Sequence, residues 1–213
     1  MLLAELGSSG ALEVHQLLSG RDVARDRRGN VVHQFAAQMQ NFIYVIADVR
    51  ARRCVLVDAA WDVASVLQLV ADKGWELSAC VFTHRHFDHC GGRVPRAMTG
   101  AAQDIELPGV RDFVERGIEC GVGRRDAATV AKQSGVALGA LRALAEGDCV
   151  VISEHAALRV LDTPGHTPGS ICLLLEAGSP GALFTGDTLF LGSCTCAGLS
   201  LLWRPCSPGL LIE

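Results

Sequence analysis

Short stretches of apolar residues recur in the first third of the chain, and their pattern predicts strands. The segment NVVHQFAAQMQNFIYVIADV (residues 30–49) contains β-branched and aromatic runs, and RRCVLVDAA (residues 52–60) is nearly continuous in apolar residues. Both patterns are typical of buried strands, so we expect adjacent strands in this part of the chain.

The next segment has a different period. WDVASVLQLVADKG (residues 61–74) places apolar residues at helical spacing between Val63 and Val70 and ends at Gly74, which predicts a helix with a glycine stop. LSACVF (residues 77–82) follows as another buried strand. Strand, helix and strand form a βαβ unit, whose parallel strands place their carboxyl ends, and usually the ligand site, at one edge of the sheet.

The pattern changes between residues 97 and 146, where GVRDFVERGIECG and DAATVAKQSGVALGALRALAEG favour helices separated by glycines. We interpret this segment as a mainly helical insertion that forms one wall of a pocket. Strand patterns resume with CVVI, ALRVLDT, ICLLLE and ALFTGDTLF, and no repeat or long linker interrupts them. The expected organisation is one α/β domain over residues 1–193 and an atypical C-terminal tail over residues 194–213.

Composition excludes several classes of protein. Of the 213 residues, 49% are hydrophobic and 20% are charged, which argues against a disordered chain. The formal charge is −4 and no basic strip is evident, so we expect no nucleic-acid partner. No segment has the pattern of a secretory signal or the length to cross a bilayer, so we expect no membrane partner.

The cysteines indicate a reducing compartment. There are nine, and six of them are scattered, mostly within apolar runs and without paired spacing. This pattern is typical of reduced, buried thiols and not of a disulfide framework, so the expected location is the cytoplasm, with organelle import left open. The six scattered cysteines are Cys54, Cys80, Cys90, Cys120, Cys149 and Cys172.

The strongest chemical signal is VFTHRHFDHCGG (residues 81–92), directly after a predicted strand. His84, His86 and His89 offer imidazole nitrogens and Asp88 offers a carboxylate, which are favoured ligands of zinc and related divalent metals. Residues two apart in an extended segment face the same way, so His84 and His86 can bind one ion together. Three isolated histidines are interpreted as structural: His15, His33 and His155.

Two later segments add further ligands. His166 lies between two prolines in LDTPGHTPGS, and Asp187 lies at a strand end in LFTGDTLF, where Gly186 permits close backbone approach. With the histidine loop, these segments resemble the metallo-β-lactamase-fold hydrolases, especially the glyoxalase II-like (hydroxyacylglutathione hydrolase-like) branch. The pattern His-x-His-x-Asp-His is met at residues 84–89, the Pro-Gly-His-Thr-Pro-Gly loop at His166, and the Gly-Asp-Thr-Leu-Phe run at Asp187. The resemblance runs from about residue 31 to about residue 193.

The resemblance implies an αββα sandwich of two mixed β-sheets flanked by helices, with metals at one edge. Zinc is the expected metal, as one or two ions, and Fe²⁺ or Mn²⁺ is the alternative. Asp88 is expected to be catalytic by handling the proton of the attacking water. Asp58 resembles the family aspartate that supports the metal loop from behind. The implied ligands form two groups around a bridging aspartate: His84, His86 and His166; Asp88 and His89; and Asp187 as the bridge.

The tail departs from this pattern. In dinuclear members of the branch, a histidine downstream of the bridging aspartate completes the second metal site, but no histidine follows His166 here. We therefore expect the last elements of the fold to be missing and the second ion to bind weakly. We do not transfer glutathione specificity from the resemblance, because the C-terminal helical region that contributes to it in the family is expected to be missing. The hypothesis is that residues 194–213 result from alternative splicing, a frameshift or a gene-model error, and that the chain is a truncated isoform.

The expected function is a metal-dependent hydrolase of a thioester, an ester or a lactone, with a small-molecule acyl substrate. The oligomeric state is not indicated. One alternative is a mononuclear Fe(II) oxygenase that resembles persulfide dioxygenase, in which His84, His166 and Asp187 form a two-His-one-carboxylate triad. The other is a catalytically inactive truncated isoform that acts as a partner or regulator.

Overall fold

A computed structural model describes most of the chain. It covers residues 2–6, 11–26, 28–176, 181–190, 193–194 and 210–212. Most of the predicted tail, residues 194–213, therefore lies outside the described residues, and the expectation of a truncated isoform stays a prediction.

The described strands are short and follow one another with few helices between them. In chain order they are Leu2–Leu6 (β1), Leu12–Leu18 (β2), Phe42–Asp48 (β3), Arg53–Val57 (β4), Glu76–Phe82 (β5), Gly92–Val94 (β6), Ile105–Leu107 (β7), Glu119–Gly123 (β8), Leu141–Leu144 (β9), Cys149–Ser153 (β10), Ala156–Asp162 (β11), Ile171–Leu175 (β12), Ala182–Phe184 (β13), Leu189–Phe190 (β14), Ser193–Cys194 (β15) and Leu210–Ile212 (β16).

The described helices are also short. They are Val31–Met39 (α1), Val63–Asp72 (α2), Phe87–Cys90 (α3), Arg96–Thr99 (α4), Val110–Glu115 (α5) and Ala127–Ser134 (α6), with 3₁₀ turns at Leu138–Ala140 and Gly186–Thr188. None of those that the structure describes has both the length and the apolar character to span a membrane.

Two mixed sheets form the frame of the domain. The larger has seven strands in the order β1-β2-β3-β4-β5-β8-β9, antiparallel as far as β4 and parallel from β4 to β9. The smaller has the order β10-β11-β12-β13-β16, in which only β16 pairs in parallel. The predicted sandwich of two mixed sheets is confirmed.

Two hydrophobic clusters hold the layers together. One lies between the sheets and joins residues such as Ile46 and Val81 of the larger sheet to Leu158 and Phe184 of the smaller. The other packs residues of α2, α5 and α6 against the opposite face of the larger sheet. The far face of the smaller sheet exposes Val151 (53%), so the described part of the chain shows three layers, helix–sheet–sheet.

The βαβ prediction is confirmed, and it places the site. Strands β4 and β5 pair in parallel on either side of α2 in the sequence, so their carboxyl ends meet at one edge of the sheet. The helix begins where the Asp62 side chain accepts a hydrogen bond from the Ser65 N–H (3.1 Å). Asp58 leaves β4 and the histidine loop leaves β5 at this shared edge.

One predicted strand is wrong. Residues 31–39, expected to be extended, form α1, whose first turn is capped by the Asn30 side chain and whose end has Gln40 in the left-handed conformation. Apolar residues at positions 32, 35, 36 and 39 follow helical spacing, and this period outweighs the β propensity of the two valines. Phe42–Asp48, in the same segment, is a strand as expected.

The segment over residues 97–146, predicted as a mainly helical insertion, contains strands as well as helices. The segment holds α5 and α6, but it also contributes β8 and β9, which extend the larger sheet in parallel beyond β5. The strands ECGVG and LRAL are too short and too rich in glycine or polar residues to give a clear strand pattern. They form strands because they pair with β5 and with each other.

The six scattered cysteines were predicted to be reduced and mostly buried, and the structure describes all of them. All six scattered cysteines are free, and five are buried, whereas Cys149 is exposed. Cys54, Cys80 and Cys120 lie on the neighbouring strands β4, β5 and β8. Burial raises the pKa of Cys54 and of Cys120 to about 12, so both thiols are protonated at neutral pH.

We predict that thiol reactivity separates Cys149 from the buried cysteines. In native protein at pH 8, iodoacetamide should modify Cys149 and leave Cys54, Cys80 and Cys120 unmodified, because those thiols are inaccessible and not ionised. Peptide mass mapping of alkylated protein, with urea-unfolded protein as the fully labelled control, measures this. Rapid labelling of Cys80 in the native protein would contradict the buried position of β5.

Candidate metal centre

Three imidazoles from two loops meet at the edge of the larger sheet. His84 and His86 come from the loop after β5, and His166 comes from the loop between β11 and β12. The Nδ1 atom of His86 lies 3.1 Å from Nε2 of His84 and 2.9 Å from Nε2 of His166. Residues that are 80 positions apart in sequence thus present their ring nitrogens to a common point.

Asp187 faces this group from the 3₁₀ turn after β13 and also faces a second group. Its Oδ2 atom lies 3.2 Å from Nε2 of His166 and 3.9 Å from Nε2 of His84. Its Oδ1 atom lies 3.2 Å from Nε2 of His89. The two carboxylate oxygens are therefore turned towards different histidines.

The second group consists of Asp88 and His89, which lie on α3. Oδ2 of Asp88 is 3.5 Å from Nε2 of His89, and both side chains are buried. The Asn41 amide donates to Asp88 Oδ2 (2.9 Å) and lies 3.1 Å from His89 Nε2. Trp61 orients that amide, because its indole N–H donates to Asn41 Oδ1 (3.2 Å).

Asp58 is connected by hydrogen bonds to one histidine of each group, His84 and His89, and these bonds fix which ring nitrogen faces the centre. Its carboxylate accepts hydrogen bonds from the Thr83 N–H, the Thr83 hydroxyl (2.7 Å each) and His89 Nδ1 (2.9 Å). Because the Thr83 hydroxyl hydrogen points to Asp58, its oxygen accepts from His84 Nδ1 (3.1 Å). Both His84 and His89 therefore carry a hydrogen on Nδ1 and turn Nε2 towards the centre.

The backbone around Asp58 adopts an uncommon conformation. Asp58 has φ +53° and Trp61 has φ +74°, in the left-handed region that non-glycine residues rarely adopt. Gly186, beside Asp187, has φ +47°, and a Cβ atom there would lie 2.3 Å from Thr83 Oγ1. The sequence interpretation of Gly186 as a point of close approach agrees with this contact.

The electrostatics of the two groups differ. Burial, and then the neighbouring imidazoles with His89 foremost, lower the pKa of His84, so its ring is neutral. Burial alone would lower the pKa of His89, but the Asp58 charge and the hydrogen bonds to Asp187 and Asp58 outweigh it and raise that pKa well above its usual value. Carboxylates therefore make the surroundings of His89 favourable for a positive charge.

The donor set fits a divalent metal ion. Within the described residues, His84, His86, His166 and Asp187 each offer one ligand atom, and these atoms all lie within 4.8 Å of one another. Nitrogens at the corners of a tetrahedron around zinc, with bonds of about 2.0–2.1 Å, would lie about 3.3 Å apart. The observed nitrogen separations of 3.1 Å and 2.9 Å are close to this value.

The structure brings all six predicted ligands together, and it adds three residues that the sequence did not indicate. Asn41 and Thr83 contact the predicted ligands through the hydrogen bonds above, and Trp61 contacts Asn41. The three residues come from segments interpreted as strand, strand end and helix start for Asn41, Thr83 and Trp61, respectively. An Asn or Thr at a strand end has many structural uses, so no sequence signal marked these residues. The isolated His155 is exposed and does not belong to the described group of possible metal ligands.

A protein-family model matches both segments that carry the predicted metal ligands. The sequence pattern described as the Metallo-beta-lactamase superfamily matches residues 37–92 and 151–208. The first range contains the histidine loop, and the second contains His166 and Asp187. The second range also continues past residue 193, where we expected the resemblance to end.

Individual proteins are similar over most of this chain. A hydroxyacylglutathione hydrolase of Enterobacter sp. (strain 638) is 35% identical over 158 residues, which are 74% of this chain and 51% of that protein. One of Cupriavidus taiwanensis is 35% identical over 171 residues, 76% of this chain and 54% of that protein. The chain therefore spans about half the length of the curated relatives it matches.

A solved structure supports the fold. A metallo-beta-lactamase from Staphylococcus aureus superposes with a TM-score of 0.59 over 85% of this chain and 43% of that one. At 20% sequence identity, this likeness shows the shared two-sheet architecture alone.

We predict that His166→Ala weakens binding of Zn²⁺, whereas His155→Ala does not. Loss of the His166 imidazole should lower the zinc affinity by more than about 10–100-fold. That range is typical for removal of a group that only hydrogen-bonds to a metal ligand. Competition titration against a chromophoric chelator measures both variants. Equal zinc affinity in His166→Ala and wild-type protein would show that His166 is not a ligand.

Proposed function

The chain belongs to the metallo-β-lactamase superfamily, and we propose that it is a metal-dependent hydrolase that cleaves a thioester, an ester or a lactone with water. The observation that supports this most directly is the convergence of His84, His86, His166 and Asp187 within 4.8 Å. Such a group of imidazoles and a carboxylate is a typical ligand set of hydrolytic zinc.

We assign the ligands in two groups. His84, His86 and His166 would hold one ion, Asp88 and His89 would contribute to a second, and Asp187 would lie between them, because its two oxygens face the two groups. Zn²⁺ suits these nitrogen and oxygen donors, and Fe²⁺ or Mn²⁺ would also be accepted. When bound, such an ion lowers the pKa of water to about 7 and polarises a carbonyl group.

Asp88 is assigned the proton-handling role. Its carboxylate is buried, lines the cavity next to the ligands and is held through Oδ2 by the Asn41 amide at 2.9 Å. This hydrogen bond fixes the orientation of one carboxylate oxygen of Asp88. The carboxylate can accept a proton from the attacking water. Asn41 in turn is oriented by Trp61, so the position of Asp88 depends on a chain of two hydrogen bonds.

The proposed substrate is a small molecule with an acyl group. A cavity of about 280 Å³ opens beside Asp88, His89 and Asp187. Its wall includes Met39 and Phe190, whose apolar side chains can contact the hydrocarbon part of a substrate. The names of the relatives favour a thioester within the proposed class. The glutathione group is not included, since the match spans about half of those proteins.

The iron oxygenase alternative has less support. A two-His-one-carboxylate site would need only His84, His166 and Asp187. The ring of His86, however, lies as close to those two imidazoles as they lie to each other, with centroid distances of 4.7 Å to His84 and 4.6 Å to His166. The proposed location is the cytoplasm, because five buried thiols that are free, with no disulfide among them, are typical of a reducing compartment.

Turnover on a panel of thioesters, esters and lactones tests the proposed function. We expect removal of the ion with a chelator to abolish hydrolysis and Zn²⁺ to restore it. Asp88→Asn should lower kcat by about 100-fold or more, since positioned proton transfer contributes about 10²–10⁴-fold. His155→Ala is the matched control and should retain the wild-type kcat.

Three outcomes would contradict the proposal. Full activity after chelation, with metal content verified by mass spectrometry, would exclude metal-dependent hydrolysis. Absence of turnover on the whole panel by zinc-loaded protein would favour the inactive isoform instead. A single tightly bound iron in anaerobically purified protein would support the oxygenase.

A further inference from the structure

A second buried carboxylate, outside the ligand set, contacts the loops that carry the ligands. Asp126 is completely buried and stands at the N-cap position of α6. An aspartate at this position usually accepts a hydrogen bond from the first turn of its own helix. The Asp126 side chain makes no such bond, so its oxygens are used elsewhere.

Both oxygens of Asp126 accept hydrogen bonds from the metal loops. Oδ2 accepts from the Arg85 N–H (3.1 Å) and from the Thr167 hydroxyl (2.5 Å), and Oδ1 accepts from the Gly169 N–H (3.1 Å). The Arg85 guanidinium lies 3.7 Å from Oδ1. Arg85 stands between His84 and His86, and Thr167 directly follows His166. One carboxylate therefore joins the two loops that supply the three converging imidazoles.

The other end of α6 contacts the backbone of the same residue, Arg85. The Gln133 side-chain amide donates to the Arg85 carbonyl (2.7 Å) and to the Gly91 carbonyl (3.3 Å). Asp126 accepts the N–H of Arg85 and Gln133 donates to its C=O, so α6 fixes both polar groups of that residue. The backbone between His84 and His86 is then held in the conformation that points both rings to one side.

The second loop packs closely against the start of α6. A Cβ atom at Gly169 would lie 2.4 Å from the Asp126 backbone nitrogen, and one at Gly123 would lie 2.0 Å from the Gly169 carbonyl oxygen. Only glycine fits at these positions, since such distances are far shorter than van der Waals contacts. The loop after β11 is therefore seated on the turn that begins α6, with the Asp126 carboxylate between the two loops.

Asparagine cannot replace this carboxylate without loss. Asp126 accepts from donors on both of its oxygens, and an amide in its place would turn an NH₂ group towards one set of these donors. A buried donor would then be left without an acceptor, which shifts the loop or leaves the group unsatisfied.

We propose that Asp126 is a positioning residue that aligns the two metal loops, so that His84, His86 and His166 address the same ion. The proposal rests on the proposed metal-dependent function. It gives a role to the segment between residues 93 and 150, which lies between the two ranges that match the superfamily pattern. Asp126 itself would not bind the ion, because its oxygens accept hydrogen bonds from the loop donors.

Asp48 provides a matched control. It is also buried, at the end of β3, and its carboxylate accepts from the Arg50 N–H (3.0 Å), the Ala51 N–H (3.0 Å) and the Ser153 hydroxyl (2.6 Å). Because β3 begins next to Asn41 and ends at Asp48, this carboxylate lies at the opposite edge of the sheet from the metal centre. Asp48→Asn should destabilise the fold without disturbing the loops.

The test compares Asp126→Asn and Asp48→Asn with wild-type full-length chain. We expect both variants to lose stability in urea unfolding of metal-free protein. Only Asp126→Asn should bind Zn²⁺ about 10–100-fold more weakly, as is typical when a group that orients metal ligands is removed. The visible spectrum of the Co²⁺-loaded protein, which reports ligand number and geometry, should change in Asp126→Asn and remain that of wild type in Asp48→Asn.

Each result has a defined meaning. Wild-type zinc affinity and an unchanged cobalt spectrum in Asp126→Asn would overturn the positioning role while leaving the metal site intact. If Asp126→Asn does not fold, Thr167→Val, which removes a single donor at constant shape, carries the same comparison and should also weaken zinc binding. Wild-type protein that binds no ion would overturn the proposed function and, with it, this inference.

Discussion

The buried carboxylate of Asp58 is the group on which the geometry of the centre depends. It accepts hydrogen bonds from Thr83 and from His89, and through the Thr83 hydroxyl it also orients His84. A buried carboxylate is stable only when donors surround it, and a metal-binding imidazole is useful only when the correct nitrogen carries the lone pair. One residue meets both conditions for ligands in each of the two groups.

The parallel pairing of β4 and β5 makes this arrangement possible. Asp58 leaves one strand and Thr83 the other at the same edge, so the carboxylate and its donors meet without long loops. The cost is a backbone with φ +53° at Asp58, a conformation that typically costs about 1–3 kcal/mol. Three hydrogen bonds to the Asp58 side chain hold the turn in place and offset this strain.

The connection between the metal loops is part of the same frame. Strands β8 and β9 extend the larger sheet beyond β5, and α6 crosses between them. This crossover places Asp126 and Gln133 beneath the histidine loop, where they contact Arg85. A segment with the pattern of a separate helical insertion is therefore an integral layer of the domain, and its two polar side chains connect the loops that carry the ligands.

The sequence alone determined which residues are the candidate metal ligands. Imidazoles and carboxylates at His-x-His-x-Asp-His spacing, with His166 and Asp187 in glycine-containing loops, were identifiable because few structural roles require those residue types so close together. The βαβ unit was predictable for a similar reason, since its helix and strands have clear periods. The segments 31–39 and 97–146 were not, because short runs between glycines and polar residues acquire their structure from their neighbours.

Only the tertiary structure decided how those residues face one another. That Asp187 turns one oxygen to each group, that Asn41 and Trp61 orient Asp88, and that Asp126 joins the two loops all depend on contacts between residues far apart in sequence. An aspartate before a helix has the same local sequence signal whether it caps that helix or reaches into a neighbouring loop. Hydrogen-bond direction at a buried group is set by the donors that surround it after folding, and local sequence does not contain those donors.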